Sequence, residues 1–177
     1  MHQEITILII TSLAVIVSEY FNYLKIIKTT TKCNLNYLSN IVKCDLDDIT
    51  TYVAGKRVEL RTSFNTICSS IYLPFRTPTI IINLDLLLNN KDLSIKCLIH
   101  EACHIANKSS LKFLAAKTLS IPIATTLVIY SIKQLTTISS LVIALITLLI
   151  LYKSLNTLSI YDERKTEYCT NRFIGST

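Results

Sequence analysis

Residues 77–110 read TPTIIINLDLLLNNKDLSIKCLIHEACHIANKSS, and this stretch decides most of what the sequence predicts about the fold. Its first part, Thr79–Asn83, is rich in β-branched residues and follows a proline, which indicates a short strand, as does the segment 58–61. Its second part, residues 91–108, has apolar side chains at helical spacing, which indicates a largely buried helix with Asp92 as its N-cap. A strand followed closely by a buried helix predicts a small folded core in this part of the chain.

The predicted helix contains His100, Glu101 and His104 in the pattern HExxH. Residues four apart lie about 40° apart around a helix and about 6 Å apart along it, so both imidazoles can reach one metal ion. The glutamate can then take a proton from a metal-bound water while the metal polarises a carbonyl group. The alternative is a pair of core histidines that lie one helical turn apart by chance.

Candidates for a third metal ligand lie near the C-terminus. A catalytic zinc ion usually has three protein ligands and one open position for water. Asp162, Glu163 and Glu167 each carry a carboxylate that could complete the site, and spacing alone does not choose among them. Asp162, Glu163 and Arg164 are also explained simply as the solvated face of a helix.

The composition indicates a membrane protein. The chain has 177 residues, of which 50% are hydrophobic and 17% charged, and its mean hydropathy is +0.45. Soluble domains carry about 25% charged residues, so the composition rules out a disordered tail protein and argues against an ordinary soluble enzyme. With only 2 glycines, a Gly-rich phosphate loop is not expected. The net charge of +6 comes without a basic run interleaved with aromatic residues, so no nucleic-acid partner is expected.

The first apolar segment, residues 5–24, has about the 20 residues that a helix needs to cross a bilayer. Lysines follow it at positions 25, 28 and 32 and almost none precede it, which places its C-terminal side in the cytoplasm. Glu19 interrupts the segment, and a polar residue within a membrane is a functional candidate unless it lies at the interface. Residues 1–27 are therefore predicted to form an N-terminal membrane anchor.

Two further apolar runs within residues 111–152 predict a transmembrane helical hairpin. A hairpin returns the chain to the side that it left, so the polar region 28–110 and the C-terminal segment 153–177 share one face of the membrane. Any site built from both must lie there. The 6 cysteines form no CxxC pair, and we interpret them as reduced thiols in a cytoplasmic compartment.

Residues 77–110 resemble the core of the HtpX-like membrane zinc metallopeptidases, which are relatives of the CAAX prenyl endopeptidases. Those proteins have a proline-led hydrophobic strand, a leucine-rich turn and a helix in which HExxH is followed by an apolar residue and Asn. A transmembrane hairpin comes next, and then a helix that reads Glu-x-x-Ala-Asp or similar. This chain has Glu167-Tyr168-Cys169-Thr170-Asn171 at that place, and the resemblance covers about residues 77–173.

The resemblance implies a metal site of the gluzincin type, which is HExxH completed by a distant glutamate. It implies that His100, His104 and Glu167 hold one catalytic zinc ion and that Glu101 is the general base. Asn171 stands where the family has an acidic residue, and its side-chain oxygen is expected to accept a hydrogen bond from an imidazole N–H and so orient the ring.

The resemblance also implies the fold and the substrate. The expected fold is mainly α with a small β-sheet: an N-terminal transmembrane helix, a zincin-like catalytic core and a transmembrane hairpin. The strand with Ile80, Ile81 and Ile82 is expected to bind an extended peptide along an exposed edge.

The expected function is that of a membrane-bound zinc-dependent endopeptidase. It would hydrolyse bonds in peptides or membrane proteins by glutamate-assisted attack of a zinc-bound water. Two alternatives stay open. One is an intramembrane protease, which the polar residues around the motif disfavour. The other is a catalytically inactive membrane scaffold or binding protein that retains the fold.

Overall fold

The structure is a computed structural model that describes residues 2–32, 46–134 and 136–175. The chain divides into two compact units, an apolar unit of residues 1–21 and 112–161 and an α/β unit of residues 22–111 and 162–177. The described elements are, in chain order, α1 (His2–Thr29), β1 (Thr31–Lys32), α2 (Leu46–Ala54), β2 (Glu59–Ser63), β3 (Cys68–Ile71), β4 (Thr79–Asn83), α3 (Leu84–Asn89), α4 (Lys91–Ala106), α5 (Ser109–Gln134) and α6 (Thr137–Ile174).

Three helices, α1, α5 and α6, are long and apolar enough to cross a membrane. This confirms the predicted apolar helices, whose length and composition indicate a membrane protein. Within the apolar unit, the Lys117 ammonium lies 2.6 Å from a carboxylate oxygen of Glu19. Charged groups in a membrane are tolerated when they are paired. The charge that interrupts the first apolar segment is thus accounted for by a helix–helix contact.

The α/β unit contains a four-stranded mixed sheet with the strand order β1-β2-β4-β3. Strand β4 is parallel to β2 and antiparallel to β3. The strand predicted for Thr79–Asn83 is confirmed with the same bounds, and the one predicted for residues 58–61 is observed as β2. The side chains of Ile80, Ile81 and Ile82 in β4 are at most 2% exposed and form part of the core.

Helix α4, which carries the HExxH pattern, packs against the sheet and belongs to the hydrophobic core. Its N-cap is Asn90, whose side-chain oxygen accepts a hydrogen bond from the backbone N–H of Leu93. Asp92, predicted as the cap, instead lies in the first turn, where its charge is favourable at the positive end of the helix dipole. Leu98 and Ile105 are each 1% exposed, so the helix is fixed along its length by apolar burial.

Helix α6 continues without interruption from the apolar unit into the α/β unit. The end of the apolar run at residue 152 predicts a boundary after that residue. Residues 153–174 contain neither glycine nor proline, so nothing in them breaks a helix. From Asp162 onward the helix belongs to the α/β unit, and its side chains Cys169 and Phe173 pack against the core.

A disulfide between Cys103 of α4 and Cys169 of α6 joins the two helices, with the Cα atoms 6.1 Å apart. The interpretation of all six cysteines as reduced thiols is therefore wrong for this pair. The two residues are 66 positions apart in the sequence, and no spacing motif predicts that they pair. Cys33 and Cys44 lie outside the described residues.

Candidate metal centre

Three side chains converge on one point in the α/β unit, namely His100 and His104 of α4 and Glu163 of α6, and their ligand atoms all lie within 4.8 Å of one another. Nε2 of His100 lies 3.5 Å from one oxygen of Glu163, and Nε2 of His104 lies 3.4 Å from the other. A tetrahedral ion about 2.1 Å from each ligand holds its ligands about 3.4 Å apart. The three side chains therefore have the spacing of a metal site.

The other ring nitrogen of His104 is fixed by a buried acid. Its Nδ1 lies 3.0 Å from a carboxylate oxygen of Asp162, whose side chain is only 5% exposed. A carboxylate accepts hydrogen bonds, so Nδ1 carries the proton and its N–H donates a hydrogen bond to Asp162. The hydroxyl oxygens of Ser109 and Thr166 lie 3.2 Å from the same nitrogen. This arrangement holds His104 in the tautomer that leaves a lone pair on Nε2.

The ring of His100 is oriented in a similar way by Thr170. The Thr170 hydroxyl donates its hydrogen to the backbone oxygen of Thr166 at 2.9 Å. Its oxygen lies 3.4 Å from Nδ1 of His100 and is left to accept a hydrogen bond from that nitrogen. The proton of His100 is thereby assigned to Nδ1, and the lone pair to Nε2.

These hydrogen bonds have an electrostatic consequence at the point where the three side chains meet. With both Nδ1 atoms protonated, the two Nε2 lone pairs face the oxygens of Glu163. Three electron-pair donors that face each other at this distance repel unless a proton or a metal cation lies among them. The arrangement thus suits a metal ion, and two neutral imidazoles with one carboxylate are a usual zinc ligand set.

Burial differs among the residues of this centre. The side chain of Glu163 is 58% exposed and that of His100 is 31% exposed, so the centre is open on one side. Glu101, between the histidines in sequence, is buried. Over residues 2–32, 46–134 and 136–175, no hydrogen bond or ion pair reaches its carboxylate. A buried carboxylate without such partners is costly, which points to a role other than packing.

Two free cysteines lie beside Glu101, Cys68 on β3 and Cys97 on α4. The Cys68 thiol donates a hydrogen bond to the Cys97 sulfur, which raises the pKa of Cys68 and lowers the pKa of Cys97. The charge of Glu101 acts on both groups in the direction of a higher pKa, so its carboxylate is close to both. Strand β3 therefore runs next to the part of α4 that carries the motif.

The structure brings Glu163 to the histidines, and Glu167 is not part of this group. Glu167 is exposed. The buried positions Asp162 and Thr166 mark the face of α6 that packs against α4. On a helix with 100° per residue, Glu163 lies about 100° from Asp162 and Glu167 about 140°. Glu167 thus points further from α4 and lies one turn beyond, which explains why the nearer glutamate is the one in contact.

Other expected site residues also differ in their placement. Asn171 is exposed, and the imidazole N–H groups are instead met by Asp162 and Thr170. Asp162, which the sequence offers both as a candidate ligand and as part of a solvated face, is 4% exposed. A signal for its role is present in the sequence, because Asp162, Thr166 and Thr170 recur every four residues and so form one polar stripe on the helix.

The expected substrate strand lacks a free edge. Strand β4, with Ile80, Ile81 and Ile82, is hydrogen-bonded to β2 on one side and to β3 on the other. The proposal that these residues bind a peptide along an exposed edge is therefore not compatible with the sheet order. Strand β3 lies at the end of that order and pairs only with β4 in the described sheet.

A scan against protein-family models, a search of curated proteins and a search of solved structures found no match to this chain. The assignment of the centre consequently depends on its geometry.

Replacing the third ligand tests that geometry. We expect Glu163→Gln to lose zinc, because an amide oxygen is a weaker ligand than a carboxylate, whereas Glu167→Gln, the same change one turn away, keeps it. The loss should exceed the ~10–100-fold typical of removing a partner that only supports a ligand. The measurement is zinc content and zinc affinity of the purified chain in detergent. Zinc retained by Glu163→Gln and lost by Glu167→Gln would make Glu167 the ligand.

The role of the buried acid is tested separately. Asp162→Asn keeps the shape and an acceptor oxygen but removes the charge that makes the His104 imidazole a better ligand. We expect zinc affinity to fall about tenfold. Asp92→Asn, an exposed aspartate on α4, is the matched control and should leave the affinity unchanged. An Asp162→Asn chain that folds and binds zinc like the parent would refute the role given to Asp162.

Proposed function

We propose that this chain is a membrane-bound zinc endopeptidase of the HtpX-like kind. The observation that carries the proposal is the convergence of two Nε2 lone pairs and one carboxylate, with both Nδ1 atoms engaged. His100, His104 and Glu163 would hold the zinc ion, which when bound supplies Lewis-acid activation of water and of a peptide carbonyl. Three protein ligands leave one position open, as in catalytic rather than structural sites.

In this proposal Glu101 is the general base. It takes the proton of the water that attacks the peptide carbonyl and passes it to the leaving amine. Its burial and its lack of a hydrogen-bond partner in the described parts of the chain support this role, because such a carboxylate is free to accept a proton. Thr170 and Asp162 hold the two imidazoles in orientation and take no part in proton transfer.

The substrate proposed is an extended peptide or a segment of a membrane protein, bound along β3. This strand lies at the edge of the sheet and runs antiparallel to β4. It also lies next to the motif helix, so a peptide added along it would pass close to the centre. A motif helix packed on a mixed sheet with an antiparallel edge strand supports a zincin-like core.

The enzymatic proposal is tested by Glu101→Gln in a casein cleavage assay in detergent, with and without a chelator. We expect cleavage by the parent to require zinc, and the variant to lose about 10²–10⁴-fold in rate while its zinc content is unchanged. Glu167→Gln is the matched control and should cleave like the parent. Equal cleavage by Glu101→Gln and the parent would refute the mechanism. A zinc-loaded parent that cleaves neither casein nor membrane-protein substrates would favour the inactive scaffold.

We further propose that the α/β unit faces the cytoplasm. The lysines at positions 25, 28 and 32, which follow the first apolar segment, support this orientation. The disulfide makes the opposite prediction, because disulfides persist mainly in oxidising compartments. Cys103 is 0% exposed, however, so its sulfur is shielded from attack by a thiolate, and thiol–disulfide exchange is confined to the sulfur of the partly buried Cys169.

Side-specific labelling tests the orientation. Arg164→Cys places an exposed thiol in the α/β unit, and Gln134→Cys places one at the end of α5, next to the connection to α6. Both substitutions are made in a chain whose four cysteines outside the disulfide are replaced by alanine. With a membrane-impermeant maleimide, we expect Arg164→Cys to react only from the cytoplasmic side and Gln134→Cys only from the other side. The reverse pattern would place the metal centre in the oxidising compartment.

A further inference from the structure

One end of the sheet presents an exposed aromatic ring among cations. Strands β2 and β4 both begin at this end and β3 finishes there, because β2 and β4 are parallel and β3 is antiparallel. The two turns before β2 and β4 are joined by a hydrogen bond from the backbone N–H of Glu59 to the oxygen of Pro78, at 2.8 Å. We call this surface the Phe75 tip and define it by Lys56, Arg57, Tyr72, Phe75 and Arg76.

Phe75 is held away from the protein by its own turn. Its side chain is 103% exposed, more than that of any other large hydrophobic residue in the described chain. Its φ is 60°, a conformation that bulky residues rarely adopt. Leu73, two residues earlier, is buried, and its carbonyl oxygen accepts a hydrogen bond from the Arg76 backbone N–H. Backbone strain of this kind persists where the surroundings impose it, and it is frequent at functional sites.

The cations of the tip are not neutralised by the described parts of the chain. Arg57 and Arg76 are exposed, and in the described residues neither guanidinium has a hydrogen bond or an ion pair. Lys56 lies with its ammonium 4.2 Å from the centre of the Tyr72 ring and 3.1 Å from the Tyr72 hydroxyl. The acid nearest in sequence, Glu59, is bound by Arg61 at 2.8 Å. The two joined turns of the tip therefore carry three cations and one exposed apolar ring.

This chemistry fits the surface of a membrane with anionic phospholipids. Guanidinium groups pair with phosphate oxygens, and an aromatic ring beside them suits the boundary between headgroups and acyl chains. A protein partner would require a larger complementary surface than one projecting ring. The chain has three helices long and apolar enough to cross a membrane, and a chain inserted by them is attached to a lipid surface. We propose that the Phe75 tip docks on an anionic phospholipid surface, independently of the reaction proposed above.

The chain contains no tryptophan, so one introduced tryptophan reports on its own surroundings. We would compare Phe75→Trp with Phe64→Trp, an exposed position at the opposite end of β2. Both full-length variants are reconstituted into vesicles that carry a spin-labelled quencher lipid, with or without phosphatidylglycerol in a phosphatidylcholine bilayer. We expect a blue shift and quenching for Phe75→Trp in the anionic vesicles. Phe64→Trp should keep a solvent-exposed emission in both.

The charge requirement is tested in the same vesicles by adding Arg57→Gln and Arg76→Gln to Phe75→Trp, which should abolish the blue shift. Trypsin cleavage of the unsubstituted chain after Arg57 and Arg76 gives a measurement that needs no variant, and phosphatidylglycerol should slow it. Equal quenching at both tryptophans, or equal quenching with and without phosphatidylglycerol, would overturn the proposal. The proposal would also be overturned if the emission of Phe75→Trp were unchanged by lipid and shifted only when an acidic peptide is added.

Discussion

The candidate centre depends on one contact, that of the Glu163 carboxylate with the Nε2 atoms of His100 and His104. The motif supplies the two nitrogens on one helix, but two ligands do not make a catalytic site. The third comes from a helix whose relevant part begins 58 residues after His104, at the buried Asp162. The packing of α6 against α4 is therefore the condition that the proposed chemistry requires.

That packing is supported by features that act together. A stripe of polar side chains on α6, made by Asp162, Thr166 and Thr170, faces the imidazole N–H groups. The disulfide between Cys103 and Cys169 joins the same two helices within the core. Since Cys103 directly precedes His104, the bond holds the motif helix at the level of the ligands. The same residues thus stabilise the helix pair and select the tautomers that the centre needs.

The sheet positions the motif helix and limits where a substrate could bind. Strand β4 is buried on both sides and acts as a rigid support for α4. The edge strand of the sheet on this side is β3. Its Cys68 pairs with Cys97 of α4, and both thiols are close to Glu101. The Phe75 tip lies at the end of the same sheet where β2 and β4 begin. The support for α4, the proposed substrate edge and the proposed lipid-binding surface are therefore different parts of one small unit.

The sequence by itself determined what depends on neighbouring residues. The spacing of His100 and His104 places both on one side of a helix, and long apolar runs are enough to predict helices that can cross a membrane. The tertiary structure alone decided which carboxylate meets the histidines, which strand has a free edge and which cysteines pair. Helical geometry is set by hydrogen bonds four residues apart and can be calculated from spacing. Contacts between residues about 60 positions apart depend on how side chains pack between helices. Glu163 and Glu167 differ by only about 40° around α6 and about one turn along it, so this packing decides which of the two carboxylates meets the histidines.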